Sequence, residues 1–421
     1  MGDDDLSRAI QKDYDDHLGA LFVHFHRNPE LSTMETKTSA RLAGELRDAG
    51  FEVTEGVGGT GIVAIMENGD GPLVMMRADM DGLPVEEKSG LDYASTAKQV
   101  DWDGNEVFTM HACGHDVHIT SLVGTARRMS AMRDRWSGTL MLIGQPAEEA
   151  RGGANLMMKD NLWQRFGQPD YAMAFHVSAN LPTGKLIAVE GSPYSGVDSV
   201  DILIHGIGGH GASPHMTVDP VVLGAQIVLG LQTVVSRNLP PREPGVITVG
   251  SFQAGTKHNI ISDMAKLQVT VRNESDVTRK LLLDGIRRVA ENMGRAAGLP
   301  EDKLPEVHVR ESDRYPPTLN DLDLTRRLRG VWTDTFGEDI LIDEKRLGMG
   351  AEDFPFFVTD PYIPSTYFAV GGTPIEDFIK ARDGGPPVPS HHSPLFKVAP
   401  EPAVTTGVSA TVVALLELLQ R

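Results

Sequence analysis

The feature that most constrains this chain is a series of short, almost wholly apolar runs separated by amphipathic helical patterns. Gly61-Ile62-Val63-Ala64-Ile65-Met66 and Leu73-Val74-Met75-Met76 come first, then Leu140-Met141-Leu142-Ile143 and Tyr171-Ala172-Met173-Ala174-Phe175. Runs this short and this uniformly apolar read as strands covered on both faces. Between them Ile119, Leu122, Val123, Ala126 and Met129 recur at helical spacing. Two helical patterns precede them, at roughly 6–27, stopped by Asn28-Pro29, and at Thr36–Ala49, ended by Gly50. Buried strands alternating with such helices specify an α/β sheet with helices on both sides.

The middle of the chain follows a different rhythm. Val197–Gly206 alternates like a half-exposed strand, and Val218–Val235 is a long helix with an apolar face. Two strands follow at Gly245–Phe252 and Ala265–Val271, then a helix at Thr278–Ala297 and a strand at Glu306–Arg310. The order β-α-β-β-α-β is the ferredoxin-like unit, a complete two-layer domain. It predicts an inserted domain at 192–312, with the flanking segments 1–191 and 313–421 forming the other domain. Helix and strand patterns resume at Leu322–Thr335, Tyr367–Val370 and Glu401–Leu419.

Composition narrows the function. Against 39 basic residues stand 58 acidic ones, a net charge of −19 over 421 residues. An acidic surface repels phosphate, which argues against nucleic acid and anionic membrane as partners. The single cysteine cannot form an internal disulfide. Met1-Gly2-Asp3-Asp4-Asp5 is unlike a secretory signal, and no stretch approaches the ~18 uninterrupted apolar residues of a membrane span. The expectation is a cytoplasmic protein.

Polar groups cluster where the predicted strands end. Leu73–Met76 runs into Arg77-Ala78-Asp79-Met80-Asp81, Leu140–Ile143 into Gln145-Pro146-Ala147-Glu148-Glu149, and Tyr171–Phe175 into His176. Ligands of open α/β sheets bind just beyond the carboxyl ends of strands. Ahead of the central helix lies Met110-His111-Ala112-Cys113-Gly114-His115-Asp116-Val117-His118, and near the C-terminus Ser390-His391-His392-Ser393-Pro394. Cys113 and His115, two apart on a turn, can face one centre. Thiolate, imidazole and carboxylate together suit Zn²⁺ or a neighbouring transition metal. If Glu149 ligates metal, Glu148 is left to take a proton from water. Asp81 reads as a residue that orients a ligand rather than binding metal itself. Two readings compete. One makes Cys113 a nucleophile with His115 as its base, although these usually come from separate elements. The other is a noncatalytic metal-binding protein, which does not require a base.

The motifs RADMDGLPVEE (77–87), MHACGHDVH (110–118), QPAEE (145–149), FHV (175–177), GGHGASPH (208–215), MGAEDF (349–354) and HHSP (391–394) occur in one order along most of the chain. Jointly they resemble the M20 metallopeptidase family, in its amidohydrolase branch of aminoacylases, hippurate hydrolases and auxin-conjugate hydrolases. The resemblance implies a zinc-peptidase-like catalytic domain, a mixed sheet flanked by helices, with the inserted ferredoxin-like domain as lid and dimerisation module. It implies two divalent ions (Zn, Mn, Ni or Co) on Cys113, His115, Glu149, His176 and His392, with His392 preferred over His391 because it directly precedes Ser-Pro. It implies Glu148 as general base and His210 as an oxyanion-stabilising residue, often reaching a partner subunit's site. Asn259 and Arg272 match substrate-binding positions, and Gly350 permits close backbone approach to substrate. The activity implied is hydrolysis of N-acyl amino acids or related small conjugates by a homodimer. A dipeptidase or carboxypeptidase of the same family is the alternative. Gly82, Val117 and Ser262 depart from the family pattern at positions that bear on substrate fit rather than on the ligands.

Overall fold

The apolar runs become the centre of a seven-stranded mixed sheet in the computed structural model, which describes residues 3–343 and 348–420. Its strands include β1 (Glu52–Val57), β2 (Gly61–Glu67), β3 (Leu73–Asp79), β4 (Thr139–Gln145), β5 (Tyr171–Pro182) and β6 (Leu186–Ile187). The Ser365–Thr373 strand completes it, in the order β1-β2-β4-β3-β5-Ser365–Thr373-β6. β3 pairs in parallel with β4 and β5, and β5 with Ser365–Thr373; the pairs nearest the edges are antiparallel. Both faces of β3 and β4 are covered, as their unbroken apolar runs require.

One cover is a helix pair, His115–Ala131 against Pro400–Leu418. Gly124 makes it possible, because a Cβ there would sit 2.5 Å from Val408. Their shared core includes Leu122, Val123, Val408, Leu415 and Trp136. Two helices, Pro220–Asn238 and Pro400–Leu418, are long and apolar enough by composition to cross a membrane. In Pro400–Leu418 that apolarity is spent on the core, with Val404, Val408, Ala414 and Leu415 fully buried.

The chain divides into two units. The first holds Met1–Pro193, Leu319–Lys345 and Phe356–Arg421 and carries the seven-stranded sheet; the second holds Tyr194–Thr318 and Arg346–Pro355. The second unit is built on β7 (Gly196–His205), β8 (Gly245–Ala254), β9 (Met264–Asn273) and β10 (Glu306–Val309), in the order β8-β9-β7-β10, all antiparallel. Helices Pro220–Thr233 and Asp276–Ala296 cover one face, burying Ile202, Ile204, Leu267, Leu223, Ile227 and Ile286 together. Its topology is β-α-β-β-α-β. A two-stranded ladder, Gly209–His210 against Ile260–Ile261, also belongs to it.

Candidate metal centre

Strand ends, one helix start, the interior of β5 and the turn at His392 build the site, all in the first unit. β3 delivers Asp79 and then Asp81, β4 leads into Glu148-Glu149, and the helix from His115 follows Cys113-Gly114. Gly114 adopts φ +85°, and a Cβ on it would meet Val177 at 2.4 Å. Only glycine combines that backbone with that contact, and the resulting turn places Cys113 beside His115. His176 departs from expectation in one respect: β5 runs on to Pro182, so His176 lies inside the strand, opposite Ala369, rather than at its end. Continued pairing with Ser365–Thr373 prolongs the strand past the apolar run.

The five expected donors come together. Donor atoms of Cys113, His115 and His176 lie within 4.8 Å of one another, as do those of Cys113, Glu149 and His392, and those of His115, Glu148 and Glu149. Cys113 Sγ is 3.4 Å from His176 Nε2, and His392 Nε2 is 3.2 Å from Glu149 Oε1. His391 turns elsewhere and accepts the Ala179 N–H through Nε2.

Neighbours orient these side chains. Asp81 Oδ1 meets His115 Nδ1 at 3.2 Å, and its Oδ2 accepts from Ser32 Oγ (2.6 Å) and the Glu149 N–H (3.0 Å). His176 Nδ1 donates to the Val177 carbonyl at 2.7 Å, which leaves the Nε2 lone pair aimed at Cys113. His118 accepts the Val177 N–H through Nε2, so its Nδ1 carries the proton and donates to Asp79. Asp79 is also paired with Arg77 at 2.7 Å, in a contact with no solvent exposure. Burial alone would raise the Asp79 pKa, yet Arg77, His115 and His118 hold it well below the usual carboxylate range.

The electrostatics call for a cation. Burial opposes charge on His115, but Asp79, Asp81 and Glu149 outweigh it and hold its pKa at about 10. Burial, then Glu149 and Glu148, push the Cys113 thiol far above its ordinary value. His115 Nε2 is buried without a hydrogen-bond partner although it faces the centre, and Glu149 Oε1 is approached there by the His392 ring. An orphaned ring nitrogen among thiol, imidazole and carboxylate groups converging in an anionic pocket fits a divalent metal.

The remaining expected residues belong to the second unit. His210 is exposed on the short ladder, and its Nδ1 accepts the Ala212 N–H at 3.0 Å. Asn259 lies beside it, with its carbonyl accepting the Gly211 N–H at 2.9 Å. Arg272 is half-buried on β9, opposite Val197 and Val246, and burial lowers its pKa. The Gly350 carbonyl accepts the Ser195 N–H at 2.8 Å.

Comparison with known proteins agrees with this geometry. The model of peptidase family M20/M25/M40 matches residues 75–383. Thermostable carboxypeptidase 2 of Saccharolobus solfataricus is 35% identical over 86% of this chain and 87% of its own length. The chain belongs to the M20 family. Hippurate hydrolase of Campylobacter jejuni is 34% identical over 79% of the chain and 82% of its own. The crystal structure of the Bacillus subtilis YXEP protein, a dinuclear metal-binding peptidase from the M20 family, superposes with a TM-score of 0.79 at 26% identity, covering 98% of this chain and 99% of that one. This M20 protein is therefore a hydrolase that binds divalent metal.

On the sequence, His118 stays outside the metal set with an orienting role open, and Asp79 reads as a possible turn cap; the structure joins the two beside His115. They stand two residues from Asp81 and three from His115, spacings that share a strand or helix face. Ser32 and Glu35, in the loop before the Thr36–Asp48 helix, carry no local signal, because only tertiary structure brings them to the site.

Proposed function

We propose that this chain is an amidohydrolase of N-acyl amino acids or related small conjugates, yielding a carboxylate and a free amino acid. One observation carries the reading: Glu148 approaches His115 and Glu149 within 4.8 Å, among the residues that would hold metal. Cys113, His115, Glu149, His176 and His392 would hold two divalent ions, of Zn, Mn, Ni or Co. Bound there, the metal supplies an acidified water and a polarised carbonyl. Glu148 removes the proton of the attacking water and returns it to the departing amine, serving as base and then acid. Asp81 fixes the His115 ring and the Glu149 backbone throughout. Because His210 Nδ1 accepts an N–H, the neutral ring carries its proton on Nε2, ready to donate to the tetrahedral oxyanion. The Arg272 side chain meets no hydrogen-bond or ion-pair partner among the described residues, which suits it to a substrate carboxylate held bidentately. Asn259 and Gly350 line the same substrate.

The proposed assembly is a homodimer through the second unit. β8 is an edge strand ten residues long, and the neighbouring helix exposes Val222 (54%) and Leu229 (72%). A long edge and an apolar helix face require cover, and a second copy provides both. The proposed compartment is the cytoplasm.

A panel of N-acetyl, N-benzoyl and indoleacetyl amino acids beside dipeptides, run after loading with each metal, tests the substrate class. Turnover of N-acyl amino acids above dipeptides supports the reading. Preference for dipeptides replaces it with the peptidase alternative, which the carboxypeptidase relative keeps in play.

A further inference from the structure

Glu35 is fully buried in the loop before the Thr36–Asp48 helix, far in sequence from every residue of the metal centre. Its Oε1 accepts two backbone N–H groups, from Thr33 at 2.9 Å and from Ala147 at 2.8 Å, while its Oε2 accepts from the Thr60 hydroxyl. Both amide donors are unusual. Thr33 (φ +65°) and Ala147 (φ +53°) are among five non-glycine residues in the left-handed region within the described chain. Side chains disfavour that region, so such residues persist only where their surroundings hold them. One oxygen thus holds two of the five, and one of these directly precedes Glu148.

The same loop is fastened to the site beside this point. Ser32 Oγ donates to Asp81, whose same carboxylate oxygen accepts the Glu149 N–H, and the Gly82 N–H donates to the Glu30 carbonyl at 2.7 Å. The Glu148-Glu149 turn is therefore held at both ends, through Ala147 by Glu35 and through Glu149 by Asp81.

The geometry points to Glu35 as a positioning residue: its Oε1 locks Ala147 in the left-handed conformation and so aims the Glu148 and Glu149 side chains at the metal centre. This rests on Glu148 being the base. The lock needs an acceptor at Oε1, not a negative charge. Burial, with the nearby Asp81, raises the Glu35 pKa to about 7, and the Thr60 hydroxyl can accept from a protonated Oε2 as readily as donate to an ionised one. Oε1 remains an acceptor either way. A glutamine would keep that acceptor and turn its NH₂ toward Thr60.

The experiment compares Glu35→Ala, Glu35→Gln and the double variant Glu35→Ala/Ala147→Gly. Zinc affinity is read by competition with a chromogenic chelator, and kcat and KM are read separately. Glu35→Ala should lose about 10²-fold in kcat with little change in KM, because the reacting groups are misplaced rather than removed. Its zinc affinity should fall roughly 10–100-fold as Glu149 shifts. Glu35→Gln should stay close to the parent in both. Glycine at 147 should recover part of the loss, since it holds a positive φ unaided. Parental values in Glu35→Ala overturn the proposal. So does a Glu35→Gln as impaired as the alanine variant, a defect confined to KM, or an unchanged loss in the double variant. If Glu35→Ala does not fold, Glu35→Asp replaces it: the shortened carboxylate should show the defect that glutamine avoids, and equal behaviour of the two refutes the lock. The chelator competition needs no substrate, so a parent inactive on N-acyl amino acids removes the hydrolase reading while the affinity order still decides Glu35.

Discussion

In the first unit, His115, His118 and Asp79 are fully buried, and hydrogen bonds from other segments fix the rings. In the second, His210 stands exposed on a two-residue ladder, and a turn two residues away sets its ring. On the proposed roles, the contrast follows from what each would do. A ligand such as His115 needs its position fixed closely, which a buried sheet with cross-linked side chains around it provides. A residue that donates to a transient oxyanion needs a defined tautomer, and one local hydrogen bond supplies that.

The strongest way to break this comparison is to change the chemistry in the buried site without changing its shape. Glu148→Gln should lose about 10²–10⁴-fold in kcat while keeping the parent's metal content by elemental analysis. Near-parental turnover would remove Glu148 as the base. On the exposed side, His210→Ala should cost about 10²–10³-fold in kcat with metal content again unchanged. Loss of metal in that variant would mean that His210 belongs to the buried group after all. Sedimentation belongs beside this measurement, since a strict monomer contradicts the proposed assembly.

A smaller effect sharpens the role of orientation. Asp81→Ala should weaken metal binding roughly 10–100-fold, read by chelator competition, because His115 and the Glu149 backbone lose their shared anchor. An unchanged affinity would reduce Asp81 to a loop residue.

The smallest effect lies on a pH axis. Burial would lower the His26 pKa, but hydrogen bonds to Asp116 and Glu87 overcome this and raise it to about 9. A histidine raised in the folded state stabilises fully below its unfolded value of 6.5, and that contribution is lost as pH rises through about 9. Chemical denaturation across this window should show a decline that His26→Gln lacks. Parallel pH profiles for the two proteins would contradict the pairing.

Much of this was readable in the residues. The apolar runs marked β2 to β5 because strands covered on both faces leave no alternation to misread. β1 escaped notice because Glu52-Val53-Thr54-Glu55, at an edge with both glutamates exposed, lacks an apolar run. Cys113, His115, Glu148 and Glu149 announced themselves by chemistry at element ends. Glu35 and Ser32 did not, because their roles exist only once a loop 112 residues before Ala147 is folded against it. His176 was found, but in a strand longer than its sequence indicated, because pairing rather than composition prolonged it.

The central claim is that five distant side chains hold divalent ions beside a glutamate that stays off the metal. Anomalous X-ray scattering from zinc- or cobalt-loaded crystals tests it most directly. The account predicts two ions per chain held among Cys113, His115, His176, Glu149 and His392, with no bond to Glu148. Ions bound elsewhere, or one coordinated by Glu148, would contradict it.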